Sequence, residues 1–172
     1  MDKALILVNR YEDYLDRIFE MIKEDNKKVC YVTFNKTPDF ILESATKHNI
    51  QKDKFYFIDG ISARIKSFVK TKNSVQITDF DNLAKISKNI KEIADLGYSL
   101  VIFDSLSNIL IYPSINDSSI DKSLKILFEY LDNVDGEVVF VCYEKDIGNY
   151  SLDKTVTLFN RFIKPYELFG LS

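Results

Sequence analysis

The chain has 172 residues, 46% hydrophobic and 28% charged, with a net charge of −3 and a pI of about 5.3. That balance excludes intrinsic disorder and leaves no overall basic field to draw in nucleic acid. It suits one domain, residues 1–172, able to bury roughly 70% of the surface of its unfolded chain.

The first apolar run, Ala4 to Val8, reads as a buried strand. Tyr11, Tyr14, Leu15, Ile18, Phe19 and Ile22 then fall on one helical face. Lys27 to Phe34 is the second strand, and Pro38 suits the first turn of a helix carrying Phe40, Ile41, Leu42 and Ala45. Lys54 to Gly60 is the third strand. Residues 61–80 are less regular, with a short helix and a short strand at Val75 to Ile77. Leu83, Ile86, Ile90 and Ile93 form the stripe of a helix stopped by Gly97. The strand Leu100 to Asp104 follows. The next helix buries Ile120, Leu124, Leu127, Phe128 and Leu131, with Asp117 or Ser118 as its cap. Glu137 to Tyr143 is a strong central strand. A short helix from Ser151 and a last strand near Phe162 to Leu168, with Pro165 at an edge position, complete the chain.

Strands alternate with helices, and the strands are apolar throughout rather than at every second residue. That pattern predicts an α/β fold: a three-layer α/β/α sandwich around a mostly parallel sheet. Cys30 and Cys142 lie inside strand runs and read as reduced core thiols. With one histidine, His48, and no C-x-x-C, no metal site is expected. Lys66, Lys70 and Lys72 lie close together but read as solvated surface, so nucleic acid is not an expected partner. No apolar run approaches the ~20 residues of a membrane helix and no signal peptide opens the sequence, giving the expectation of a cytoplasmic protein with no membrane contact.

In an open parallel sheet, ligands bind beyond the carboxyl ends of the strands. That rule gathers Asn9 and Arg10, Asn35 and Lys36, Asp104 and Ser105, and Tyr143 into one candidate pocket. A nucleotide hydrolase on this plan carries G-x-x-x-x-G-K-[ST] after its first strand, because the backbone must curl to aim N–H groups at phosphates. Here the stretch is "NRYEDYLD", and the first glycine in the chain is Gly60. Glu12 and Asp13 suit a helix N-terminus but would repel a triphosphate.

Five stretches in order resemble the RecA-like ATPases of the KaiC and RadA group, common in archaea. They are "KKVCYVTFNKTPDFILESA", "KDKFYFIDGIS", "GYSLVIFDSLSNIL", "GEVVFVCYEKD" and "LFNRFIKPYEL", and they cover nearly the entire chain. The resemblance implies the RecA-like P-loop NTPase topology and makes Asp104 and Ser105 a vestigial Walker B pair. The family's paired glutamates after the second strand align with Asn35 and Lys36. An amide is not basic and an ordinary lysine is protonated, so neither serves as a general base at neutral pH. With the Walker A loop also missing, Asp104 is expected to cap backbone N–H groups rather than hold magnesium.

The expected function is therefore that of a pseudo-ATPase: no catalytic residue, no ATP or magnesium cofactor, and a regulatory or signalling role. It acts by contact with a protein partner or with itself, including an active KaiC- or RadA-like ATPase. The alternative is a sensor domain whose pocket holds a nucleotide or small molecule without a P-loop. Two further readings are weaker. A phospho-receiver would use Asp59 and Lys145 but lacks acidic residues at the tip of the first strand. An enzyme of another chemistry would need a nucleophile, but Ser105 and Ser107 lack a histidine partner, His48 standing on a helix away from both, and Cys30 and Cys142 are mid-strand and poorly placed for attack.

Overall fold

A computed structural model describes residues 2–9, 14–65, 72–79, 82–110, 117–149 and 157–163. In chain order they form β1 (Asp2–Val8), α1 (Tyr14–Asp25), β2 (Val29–Thr33), α2 (Pro38–Lys47), a 3-10 turn (Lys52–Lys54) and β3 (Phe55–Asp59). β4 (Ser74–Gln76), α3 (Leu83–Ala94), β5 (Leu100–Asp104) and α4 (Leu106–Leu110) follow. α5 (Asp117–Leu131), β6 (Glu137–Tyr143), α6 (Glu144–Asn149) and β7 (Arg161–Ile163) complete the set.

The seven strands make one sheet in the order β4-β3-β2-β5-β6-β1-β7, every pairing parallel. All five residues of β2 and of β5 are buried, as strands covered on both faces must be. Alternate residues feed two cores. Tyr31, Phe57, Ile102 and Val141 face Tyr14, Ile18 and Ile22 of α1 and Ile41 and Ala45 of α2. Val32, Phe103, Phe140 and Cys142 face Ile86, Ile90 and Ile93 of α3 and Leu124, Leu127 and Leu131 of α5. The α/β/α sandwich is thus built as its hydrophobic pattern predicts.

Local chemistry starts the helices where expected. Pro38 opens α2 behind Thr37, whose hydroxyl accepts from the Phe40 N–H at 3.3 Å. Asn82 accepts from the Lys85 N–H at 3.0 Å and caps α3. Gly136 stands at φ 138°, and a Cβ there would run into the Ser99 carbonyl, which already accepts the Glu137 N–H at 2.9 Å.

The structure departs from the pattern at the joints. α4 and α6, each packed against β6, were not expected as helices; they are too short to show an apolar period. β4 begins at Ser74 rather than Val75, and β7 begins at Arg161 rather than Phe162, the expected end of that strand at Leu168 lying outside the described residues. Arg161 opens β7 because its guanidinium reaches Glu137 of β6 and, at 3.5 Å, Asp2 of β1. Lys27 meets the same Glu137 at 3.3 Å, so the amino ends of these strands are tied by ion pairs. Arg10, Tyr11, Glu12, Asp13, Lys66, Lys70, Pro165, the expected helix from Ser151 and the side chains of Asp117, Ser118 and Ile120 lie outside the described residues. Among the described residues no helix is long and apolar enough to cross a membrane.

Candidate functional site

The apolar run of β5 delivers Asp104 to the carboxyl end of the sheet, where it is fully buried. Its partner in register on β2 is Thr33. Beyond Thr33 the chain turns back on itself: the Phe34 N–H donates to the Asp104 carbonyl at 2.9 Å, and the Thr33 hydroxyl donates to the Lys36 carbonyl at 2.6 Å. This turn carries the side chains of Asn35 and Lys36 to Asp104. α1 starts at Tyr14 on the same side of the sheet, and Tyr31 reaches across from the middle of β2.

Four side chains converge on the Asp104 carboxylate. The Tyr14 hydroxyl lies 2.8 and 3.0 Å from its two oxygens, and the Tyr31 hydroxyl donates to Oδ2 at 2.8 Å. Asn35 Nδ2 donates to Oδ1 at 3.2 Å, and Lys36 Nζ to Oδ2 at 3.4 Å. The Lys36 ammonium also donates to the Tyr14 hydroxyl and to Asn35 Oδ1, at 3.4 Å for the latter. Lys36 and Asp104 form a buried ion pair, their side chains 4% and 0% exposed. Burial pushes the Lys36 amine below the ordinary lysine range, and the charge and hydrogen bond of Asp104 oppose that shift.

The expected role of Asp104 is thereby corrected. It was to cap backbone N–H groups; it instead accepts from two phenols, an amide and an ammonium. An ionised carboxylate offers about four lone-pair sites, and these donors occupy them. Tyr14 and Tyr31 were the residues that sequence reading missed, because Tyr14 was placed on an apolar helical face and Tyr31 lay unremarked inside an apolar strand run. The available signal was chemical: a buried tyrosine needs a partner for its hydroxyl.

The candidate pocket divides. Asn35, Lys36 and Asp104 form the buried network, whereas Asn9 and Tyr143 line a separate cleft of about 540 Å³ with Val8, Glu144 and Lys145 at the ends of β1 and β6. Arg10 lies outside the described residues. Ser105 follows Asp104 through a cis peptide bond, and its hydroxyl donates to Asn108 Oδ1 at 2.5 Å while accepting the Asn108 N–H at 3.3 Å. Ser105 thus secures the first turn of α4. The Ser107 hydroxyl accepts the Tyr143 N–H at 2.9 Å and points at Cys142 Sγ at 3.6 Å. His48 pairs with Asp16 at 3.1 Å across α1 and α2 and meets neither serine. Asp59 accepts the Ile61 and Ser62 N–H groups, both at 3.0 Å, and β2 and β5 separate its strand from the one that precedes Lys145. Burial raises both thiols, that of Cys142 to about 11. Among the described residues no group of three or more His, Cys, Asp or Glu side chains could hold a metal.

A magnesium ion with ATP is what the fold resemblance implies for Asp104, and the residues present do not fit it. The carboxylate has no unfilled acceptor site, and an ammonium already stands against it.

No protein-family model and no curated protein matches the chain. Solved structures do. An uncharacterized protein from Pyrococcus horikoshii, crystallised with an unknown peptide, superposes with a TM-score of 0.71 at 10% identity, over 95% of this chain and 76% of that one. A KaiC-like protein from the same hyperthermophilic archaeon gives 0.58 at 12% identity, over 84% of this chain and 64% of its own length. The RadB recombinase gives 0.51 at 14% identity, over 83% and 61% respectively. The chain thus spans less than two thirds of the KaiC-like and RadB proteins. At these identities the likeness concerns the fold, which is RecA-like.

Proposed function

We propose that this RecA- and KaiC-like domain is non-catalytic, takes neither ATP nor magnesium, and works through contact with protein. The observation that carries the reading is the Asp104 carboxylate, buried, saturated by Tyr14, Tyr31 and Asn35, and neutralised by Lys36. Phosphoryl transfer on this fold needs a carboxylate free for the metal, a cradle for phosphate and a base for water. Asp104 is engaged, the "NRYEDYLD" stretch has no glycine, and Asn35 and Lys36 stand in the place of the glutamates.

Support for protein contact comes from the peptide bound to the Pyrococcus protein of the same fold. It also comes from Ile126 and Tyr130, one turn apart on α5 and 37% and 50% exposed. The partner on this reading is a second copy or an active relative of the same fold. A second reading, a small-molecule sensor, draws on the cleft beside Asn9 and Tyr143, whose 540 Å³ falls within the range of ligand pockets.

Thermal melts with magnesium ATP, ADP and cyclic nucleotides, paired with light scattering, test the proposal. The expected result is an unmoved midpoint and a defined oligomer or complex. A rise of several degrees at millimolar nucleotide would overturn it in favour of the sensor, since ligand bound only by the folded state must raise stability. A monomer at every concentration, with no co-purifying partner, would remove the protein-contact half.

A further inference from the structure

β1 and β6 pair in parallel along their whole length, and their last pair is Val8 with Tyr143. Where that ladder ends, Asn9 follows one strand, and Glu144 and Lys145 follow the other as the start of α6. These five residues line the cleft of about 540 Å³. Its floor is fixed, because the Tyr143 N–H donates to the buried Ser107 hydroxyl at 2.9 Å. Its polar groups, unlike those around Asp104, are unengaged. Among the described residues neither Glu144 nor Lys145 has an ion-pair partner, and the Asn9 side chain makes no hydrogen bond. Glu144 and Lys145 do not answer each other, since successive residues of a helix do not share a face. Nor does the helix account for Lys145, because a cation in a first turn gains nothing from the helix dipole. Its ammonium stands 5.9 Å from the centroid of the Tyr143 ring.

We propose that this cleft binds a free amino acid with an apolar side chain. Lys145 takes the ligand's carboxylate, Glu144 its ammonium, and Val8 with the Tyr143 ring its side chain. The Asn9 amide, donor and acceptor at once, serves either charged end. A ligand of one charge would leave the opposite charge of the cleft unanswered. A triphosphate is the extreme case, since Glu144 would repel it. A zwitterion answers both charges and still offers the ring an apolar surface. This inference rests on the sensor reading and names its ligand class. Protein contact through Ile126 and Tyr130 shares no residue with the cleft and is compatible with it.

Wild type, Glu144→Gln and Lys145→Met are melted with L-phenylalanine, L-leucine, 3-phenylpropanoate and phenethylamine. The last two are phenylalanine without its ammonium and without its carboxylate. Both substituted positions are exposed, so the variants should fold as wild type does. An amino acid at ten times its Kd should raise the wild-type midpoint by about 4 °C. Each analogue should bind wild type about tenfold more weakly, having lost one charged contact. Glu144→Gln should weaken the amino acid about tenfold and spare 3-phenylpropanoate, and Lys145→Met should weaken it as much and spare phenethylamine. No shift with either amino acid, equal shifts from phenylalanine and its analogues, or unchanged affinity in both variants would each overturn the proposal.

Magnesium ADP is run on the same three proteins. A shift from the nucleotide alone, lost in Lys145→Met, would overturn the amino-acid ligand and keep the sensor reading. No shift from nucleotide or amino acid would remove both and leave protein contact as the one reading.

Discussion

Tyr14 and Tyr31 aim their hydroxyls at the same oxygen, Asp104 Oδ2, at 3.0 and 2.8 Å, one from the first turn of a helix and the other from the middle of a strand. Both rings are fully buried. The pair fastens α1, β2 and β5 together at the end of the sheet where the loops gather.

Tyr31→Phe keeps the ring and deletes one donor to a buried carboxylate. It should cost about 2 kcal/mol of unfolding free energy, in the range for hydrogen bonds to charged groups. Tyr14→Phe should cost more, because its hydroxyl also accepts from Lys36. Urea denaturation of both variants checks the order, and Tyr14→Phe emerging as the milder change would contradict the network.

Stability should depend on pH through Lys36, with a definite sign. Burial holds its amine below the value of 10.5 that it has in the unfolded chain. Between the lowered folded pKa and 10.5 the unfolded state binds more protons, so the lysine's contribution makes stability rise with pH there and level off above. The difference between wild type and Lys36→Met in urea melts stepped from neutral to pH 10.5 isolates this contribution. A difference that falls across that window would refute the sign.

Both cysteines should resist alkylation in the native protein. With the Cys142 thiol at about 11, roughly one molecule in a thousand is thiolate at pH 8, and burial closes access besides. Iodoacetamide followed by mass measurement should add nothing to the folded chain in an hour and two groups after unfolding. Prompt labelling of the native chain would mean that β2 or β6 opens locally.

Gly136→Ala should be among the more damaging single changes outside the network. The new Cβ meets the Ser99 carbonyl at a backbone angle that side chains rarely adopt, and we expect a loss of about 3 kcal/mol. Gly97→Ala shares the positive φ but finds open space around the Cβ, so its loss should be smaller. Equal midpoints for the two variants would show that the contact with Ser99 relaxes freely.

The layers of the fold were legible because they rest on period and burial. The stretches "KKVCYVTF" and "SLVIFD" can only be strands covered on both faces, and Leu83, Ile86, Ile90 and Ile93 can only share one stripe. The candidate site was legible by half. The carboxyl ends of the strands named Asn35, Lys36 and Asp104, yet pairing Lys36 with Asp104 requires the return turn closed by Thr33, which leaves no periodic trace. Tyr14 and Tyr31 were hidden by their rings, since an apolar pattern counts the ring and ignores the hydroxyl. Asn9 and Tyr143 were grouped with the others by the carboxyl-end rule alone. That rule says at which end of the sheet residues gather, not which side chains turn inward.

The two ends of the sheet hold their charges in opposite ways. At the Asp104 end the ions are sealed from solvent, whereas Arg161, which pins β7 to β6 and β1, is half exposed together with Asp2. Mobile ions screen the second kind of contact and scarcely reach the first. Rising salt should therefore unzip the sheet from one side. Amide exchange at residues 161–163 should quicken while that of Tyr31 and Ile102 stays slow, so that β7 behaves as a detachable edge on a rigid plate.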